Sequence, residues 1–65
     1  MKTKDWLRLS PNHRITLLAD PDERVRALFH GGEGVDQRFS GVGANEVQAC
    51  GNALEAREAI KSALP

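Results

Sequence analysis

At 65 residues the chain has room for one domain, which at this size buries only about 60% of the surface its unfolded form exposes, and a deep catalytic cleft is excluded. Hydrophobic residues make up 40% and charged residues 28%, a balance that predicts a folded chain. Nine Lys and Arg against nine Asp and Glu give a formal charge of zero, which excludes nucleic-acid binding by bulk attraction alone.

The single cysteine, Cys50, cannot close an internal disulfide, whereas a secreted domain of this size normally depends on several. The expectation is a reducing, cytoplasmic setting. No apolar run nears the roughly 20 residues that span a bilayer, and Met1 to Lys4 lead into Asp5 and Trp6 instead of an apolar signal core. The chain therefore reads as soluble and unprocessed, with no membrane partner.

In chain order, Leu7 and Leu9 suggest a first edge strand, ended by Ser10-Pro11-Asn12. Ile15, Leu17 and Ala19 then alternate with Arg14, Thr16 and Leu18, and Val25, Ala27 and Phe29 alternate with Arg24, Arg26, Leu28 and His30. Period two means strands. Between them Asp20-Pro21-Asp22-Glu23 has turn chemistry: proline presets φ, and aspartate bonds the backbone two residues on. The same residues also spell a helix start, with Asp20 as cap, Pro21 in the first turn, Glu23 completing a capping box and Gly31 as the stop. The hairpin is favoured because its alternation runs through both segments. Val35 to Phe39 suggests a further short strand, with glycines 31, 32, 34, 41 and 43 as joints.

Asn45 to Leu64 reads as a helix. Ala49, Ala53, Ala56, Ile60 and Ala63 recur at spacings of three and four, and Cys50 and Leu54 widen the stripe. Asn45 caps the start with Gln48 reaching back, and Glu46 complements the helix dipole. Gly51 costs about 1 kcal/mol relative to alanine in a helix interior. It leaves open a shorter helix capped by Asn52 and Glu55, with residues 46–50 as a strand. The fold class is α+β: one small globular domain, residues 1–65, in which a hairpin over 13–30 plus one or two short edge strands packs on a C-terminal helix over 45–64.

Chemistry is sparse. His13, His30 and Cys50 lack the close pairing of zinc ligands. Asp20-Pro21-Asp22 opens like a calcium loop, yet Arg24 stands where an oxygen ligand is needed and no glycine follows. Cys50, between Ala49 and Gly51, suits a small buried thiol. His30-Gly31-Gly32-Glu33-Gly34 resembles an esterase oxyanion loop without the nucleophile elbow that fold requires. Gly41-Val42-Gly43 before a helix has the outline of a phosphate turn, but Glu46 occupies the dipole field and no Walker lysine follows. The expectation is no catalytic residue, no metal, no cofactor and no enzyme activity.

A contact face remains. If Leu7, Leu9, Ile15, Leu17, Val25, Ala27 and Phe29 pack on the helix, then Trp6, Arg8, Arg14, Thr16, Leu18, Arg24, Arg26, Leu28 and His30 point outward. Arginine and tryptophan are enriched at binding hot spots, while arginines on strands also serve simply to keep a one-sided sheet solvated. Trp6 has a second reading, as a flap over the edge of the core. Asp20, Asp22 and Glu23 form a separate acidic turn that a partner could engage.

The segment from Glu46 to Ala59 is similar in rhythm to the strand–glycine–helix segment of Alba-type nucleic-acid-binding domains. With the long helix it resembles instead the last helix of a double-stranded-RNA-binding fold. Either resemblance implies nucleic-acid binding, and in neither case do basic residues stand at the positions those families use. Taken with size, the residues suggest a protein-binding module, an adaptor or an inhibitor masking a site on a larger complex. Phage or mobile-element inhibitors such as anti-CRISPR proteins resemble it in size and in lacking catalytic groups. The alternative is a small nucleic-acid-binding protein in which Trp6 stacks and the arginines hold phosphate. Oligomeric state stays open, since edge strands at Leu7 or Val35 could pair between copies.

Overall fold

The hairpin forms as its alternation requires. In the computed structural model, which describes residues 1–64, β1 (Arg14–Ala19) pairs antiparallel with β2 (Val25–His30) in a register from Arg14 opposite His30 to Ala19 opposite Val25. The Glu23 amide donates to the Asp20 carbonyl at 3.1 Å and the Asp20 amide to the Arg24 carbonyl at 2.9 Å. This is a three-residue loop with Pro21 at the second turn position and a left-handed residue closing it. Glu23 takes that conformation, with φ 61°, which interrupts any helix begun at Asp20.

A third strand, β3 (Arg38–Gly43), pairs antiparallel with β2, so the order is β1-β2-β3. Sequence patterning placed a strand at Val35 to Phe39. Instead Gly34–Gln37 is a 3₁₀ turn and the strand begins at Arg38. The turn forms because Asp36 is held from two sides. Its amide donates to the Glu33 carbonyl at 3.0 Å, its carbonyl accepts from the Gly32 amide at 3.1 Å, and its carboxylate is drawn to the helix beyond.

The N-terminal segment is likewise not a strand. Thr3–Arg8 forms a short helix, α1, in which the Lys2 amide bonds the Asp5 carboxylate at 3.4 Å. The helix turns Trp6 inward and leaves Leu7 and Leu9 half exposed, the reverse of the strand expectation. Ser10-Pro11-Asn12 does end the segment. Ser10 Oγ accepts from the Asn12 amide at 3.2 Å and shares a hydrogen bond of 2.7 Å with His13 Nδ1.

The C-terminal helix, α2 (Glu46–Ala63), passes unbroken through Gly51. Asn45 Oδ1 accepts from the Gln48 amide at 2.9 Å, and the Gln48 side chain accepts from the Ala44 amide at 3.0 Å. One residue separates this from the expected box, in which Gln48 would reach the Asn45 amide. The buried stripe is Ala49, Cys50, Ala53, Leu54 and Arg57, while Ile60 and Ala63 are exposed. Eighteen helical residues extend about 27 Å, whereas six-residue strands reach about 20 Å. The last turns therefore overrun the sheet.

Trp6, Ala27, Phe29, Phe39, Ala49, Cys50, Ala53 and Leu54 form the core, with Ile15 and Val25 against it. Phe29 stacks on Phe39 with centroids 4.8 Å apart, and Trp6 meets both edge-on at 5.6 and 5.0 Å. Elsewhere the two layers touch almost backbone to backbone. A Cβ on Gly41 would collide with the Ala53 amide and lie 2.7 Å from the Ala49 carbonyl oxygen, and one on Gly43 would lie 2.6 Å from the Ala49 amide.

Two glycine substitutions should therefore have opposite signs. Gly41→Ala forces the helix off the strand and should cost roughly 2–3 kcal/mol. Gly51 faces open space, so Gly51→Ala should add up to about 1 kcal/mol. Urea unfolding of both variants measures this; equal effects would contradict the packing described.

Candidate functional site

Alternation along three strands in fixed register sorts the sheet into two faces. Ile15, Leu17, Ala27, Phe29, Phe39 and Gly41 share the side that carries α2. The opposite side has three cross-strand rows: Arg14, His30 and Arg38; then Thr16, Leu28 and Ser40; then Leu18, Arg26 and Val42. No helix among the described residues covers this outer face.

Its cationic end is tied together. Arg14 Nε donates to His30 Nδ1 at 3.1 Å, and His30 Nε2 lies 3.4 Å from Thr16 Oγ1. Thr16, Leu28, His30, Gln37 and Arg38 line an open depression of about 530 Å³. At the other end Arg26 Nη2 lies 3.6 Å from Asp20 Oδ2. The Arg26 side chain is half exposed, and at this separation the pair contributes little to stability. Among the described residues Arg14, Arg24 and Arg38 have no carboxylate within ion-pair distance. Leu18, 44% exposed, and the half-buried Leu28 give the face an apolar middle.

The residues proposed from sequence divide accordingly. Arg14, Arg26 and His30 are brought together on the outer face. Arg24 lies in the hairpin turn with Asp20, Asp22 and Glu23, just beyond the strand ends, and Arg8 is the last residue of α1 and not a strand residue. Trp6 is corrected outright: its side chain has no solvent exposure and belongs to the core, because α1 turns it onto Phe29 and Phe39. Arg38, Ser40 and Val42 were missed. The alternation of Arg38, Phe39 and Ser40 was the available signal, and glycines at 41 and 43 disguised it as loop.

A second charged constellation lies on the inner side. Arg57 is 6% exposed; its Nε and Nη2 donate to the two carboxylate oxygens of Asp36 at 2.6 and 3.0 Å, and Nη1 to Glu58 at 2.9 Å. The guanidinium also lies 5.6 Å from the Trp6 ring centroid, and Lys61 approaches Asp36 at 3.4 Å. The hydrogen bond from Arg57 holds the Asp36 carboxyl below its ordinary value. Every group in this cluster is engaged by another, so its work is to pin the 3₁₀ turn to α2. Burial, the dominant influence, pushes the Cys50 thiol up, which keeps it protonated within the core. Among the described residues no three His, Cys, Asp or Glu side chains converge as a metal site would require, and no helix is long and apolar enough to cross a membrane. The chain matches no protein-family model, no curated protein and no solved structure.

Because the folded-state value of Asp36 is depressed, its stabilisation is fully present above its ordinary value of 3.8 and is lost as pH falls through the folded value. Asp36→Asn should cost about 3 kcal/mol at neutral pH by leaving Arg57 underpaired, and should flatten this acid limb. Urea midpoints measured from neutral to strongly acidic pH check both; parallel losses in the two proteins would refute the assignment.

Proposed function

We propose that this protein is a non-enzymatic protein-binding module, an adaptor or an inhibitor that masks a site on a larger complex, and that it engages its partner through the outer face of the sheet. The row of Arg14, His30 and Arg38 beside Leu18 and Leu28 carries this reading. Arg14 and Arg38 flank His30 from the two outer strands, and no carboxylate lies within ion-pair distance of either among the described residues. An apolar centre flanked by guanidinium groups has the composition of an interface hot spot. A partner that presents an apolar side chain ringed by carboxylates is complementary to it. The acidic turn at Asp20, Asp22 and Glu23 offers a second, smaller contact.

The test is capture of a stoichiometric partner from the native host by the wild-type chain, compared with Leu28→Asp and Arg38→Glu. Both changes sit on the solvated face and should preserve the fold while weakening binding at least about tenfold. Undiminished binding by both variants would reject this face.

Nucleic-acid binding is the second reading, favoured by the same cationic row, although burial of Trp6 removes its stacking platform. Phosphate contact predicts affinity for DNA or RNA that falls steeply with ionic strength and is lost in Arg14→Ala with Arg38→Ala. Fluorescence anisotropy with a labelled oligonucleotide decides it, and a signal insensitive to salt would dismiss it.

A further inference from the structure

The two edges of the sheet are finished differently. On β3 the Asn52 side chain donates to the Val42 carbonyl at 2.8 Å, and α2 lies tight against Gly41 and Gly43. On β1 the Trp6 indole donates to the Arg14 carbonyl at 3.4 Å, and among the described residues no side chain reaches the backbone of residues 15–19. Ile15 to Ala19 contains no proline, glycine or charge, the devices that normally blunt an edge. Beyond Ile15, which packs on the core, its side chains are exposed on both faces, with Leu17 43% and Leu18 44% exposed. On the inner side Leu7, Ile15, Leu17, Val47 and Cys50 line an open, mainly apolar groove of about 460 Å³, with Lys4 and Glu46 also in its lining. Val47 is 83% exposed.

We propose that two copies of the chain join by antiparallel pairing of their β1 edges, centred on Leu17, into one six-stranded sheet. A two-fold axis normal to the sheet keeps inner residues opposite inner residues, so the centre must fall on a residue and not between two. Centring on Thr16 would set Arg14 against Leu18, and centring on Leu18 would set Thr16 against Asp20. Centring on Leu17 sets Arg14 against Asp20 of the second copy, twice over, with Ile15 against Ala19 and the two Leu17 side chains facing each other. This charge pairing is self-complementary, and it selects a second copy as the occupant over an unrelated strand. Asp20, which already holds Arg26 at 3.6 Å, would then lie between two guanidinium groups. The pairing also brings the two apolar grooves together across the axis. It does not rest on the outer-face reading and stands or falls separately.

Sedimentation and light scattering across micromolar to millimolar concentration should give twice the 7.1 kDa chain mass. Leu17→Lys should raise the dimer dissociation constant at least about tenfold, since it buries an unpaired charge at the axis, while leaving the circular dichroism spectrum unchanged. In a Cys50→Ala background, Leu17→Cys should form a disulfide-linked dimer under mild oxidation. Paired residues on antiparallel strands lie about 4.5–5.5 Å apart, within disulfide range. Ala19→Cys, which faces residue 15 of the other copy, should not. A monomer at millimolar concentration, a dimer indifferent to Leu17→Lys, or equal cross-linking at 17 and 19 would overturn the proposal.

Discussion

The contact between α2 and β3 sets the shape of everything around it. With one tryptophan, two phenylalanines and no tyrosine, the chain lacks the bulky side chains needed to fill a full-thickness layer between a helix and a sheet. Glycines at 41 and 43 facing Ala49 and Ala53 remove much of that layer, so the two backbones nearly touch. The aromatic residues are thereby released to fill the one end where the layers diverge, and there Trp6, Phe29 and Phe39 close on one another. Because the helix is drawn over β2 and β3, β1 is left with little above it. The exposed Leu17 and the groove beside it follow from that offset.

Closing the aromatic end falls to an arginine. Desolvating a guanidinium is costly, and only the two-pronged bond to Asp36, the contact with Glu58 and the Trp6 ring below make Arg57 tolerable in the interior. The consequence is conformational: Asp36 must stay where Arg57 can reach it, which winds Gly34–Gln37 into a 3₁₀ turn and delays the start of β3 to Arg38. β3 therefore opens with Arg38, opposite His30, which completes the cationic row on the far face.

The sheet consequently presents two unlike unfinished surfaces. Its outer face is cationic at one end and apolar in the middle, suited to a carboxylate-rimmed partner. Its β1 edge is uncharged and apolar but for Thr16 over residues 15–19, suited to strand pairing. If both are used, the Leu18 and Leu28 side chains of two copies form one longer apolar strip flanked by arginines. Edge pairing leaves both sheet faces free but engages Arg14 and Asp20 between copies, so a partner then meets Arg38 and His30 at the cationic end.

Local chemistry in the sequence indicated the α+β class and favoured the hairpin with its Asp20-Pro21 turn and the long capped helix over their rivals, because each rests on periodicity or on residues within a few positions of one another. The placement of Arg14, Arg26 and His30 on one face was legible for the same reason. Three features were decided only by tertiary contact. Leu7 and Leu9 mimic a strand, yet Trp6 gains more from a helix that buries it on Phe29 and Phe39. Gly41 and Gly43 read as joints, yet they are strand residues whose missing side chains admit the helix. No local pattern marks Arg57 for burial, and it is buried because its partner arrives from twenty-one positions upstream. Periodicity reports which side of an element is apolar; it carries no information about how near the neighbouring layer comes or which distant carboxylate comes with it, and those two quantities placed Trp6, Arg38 and Arg57.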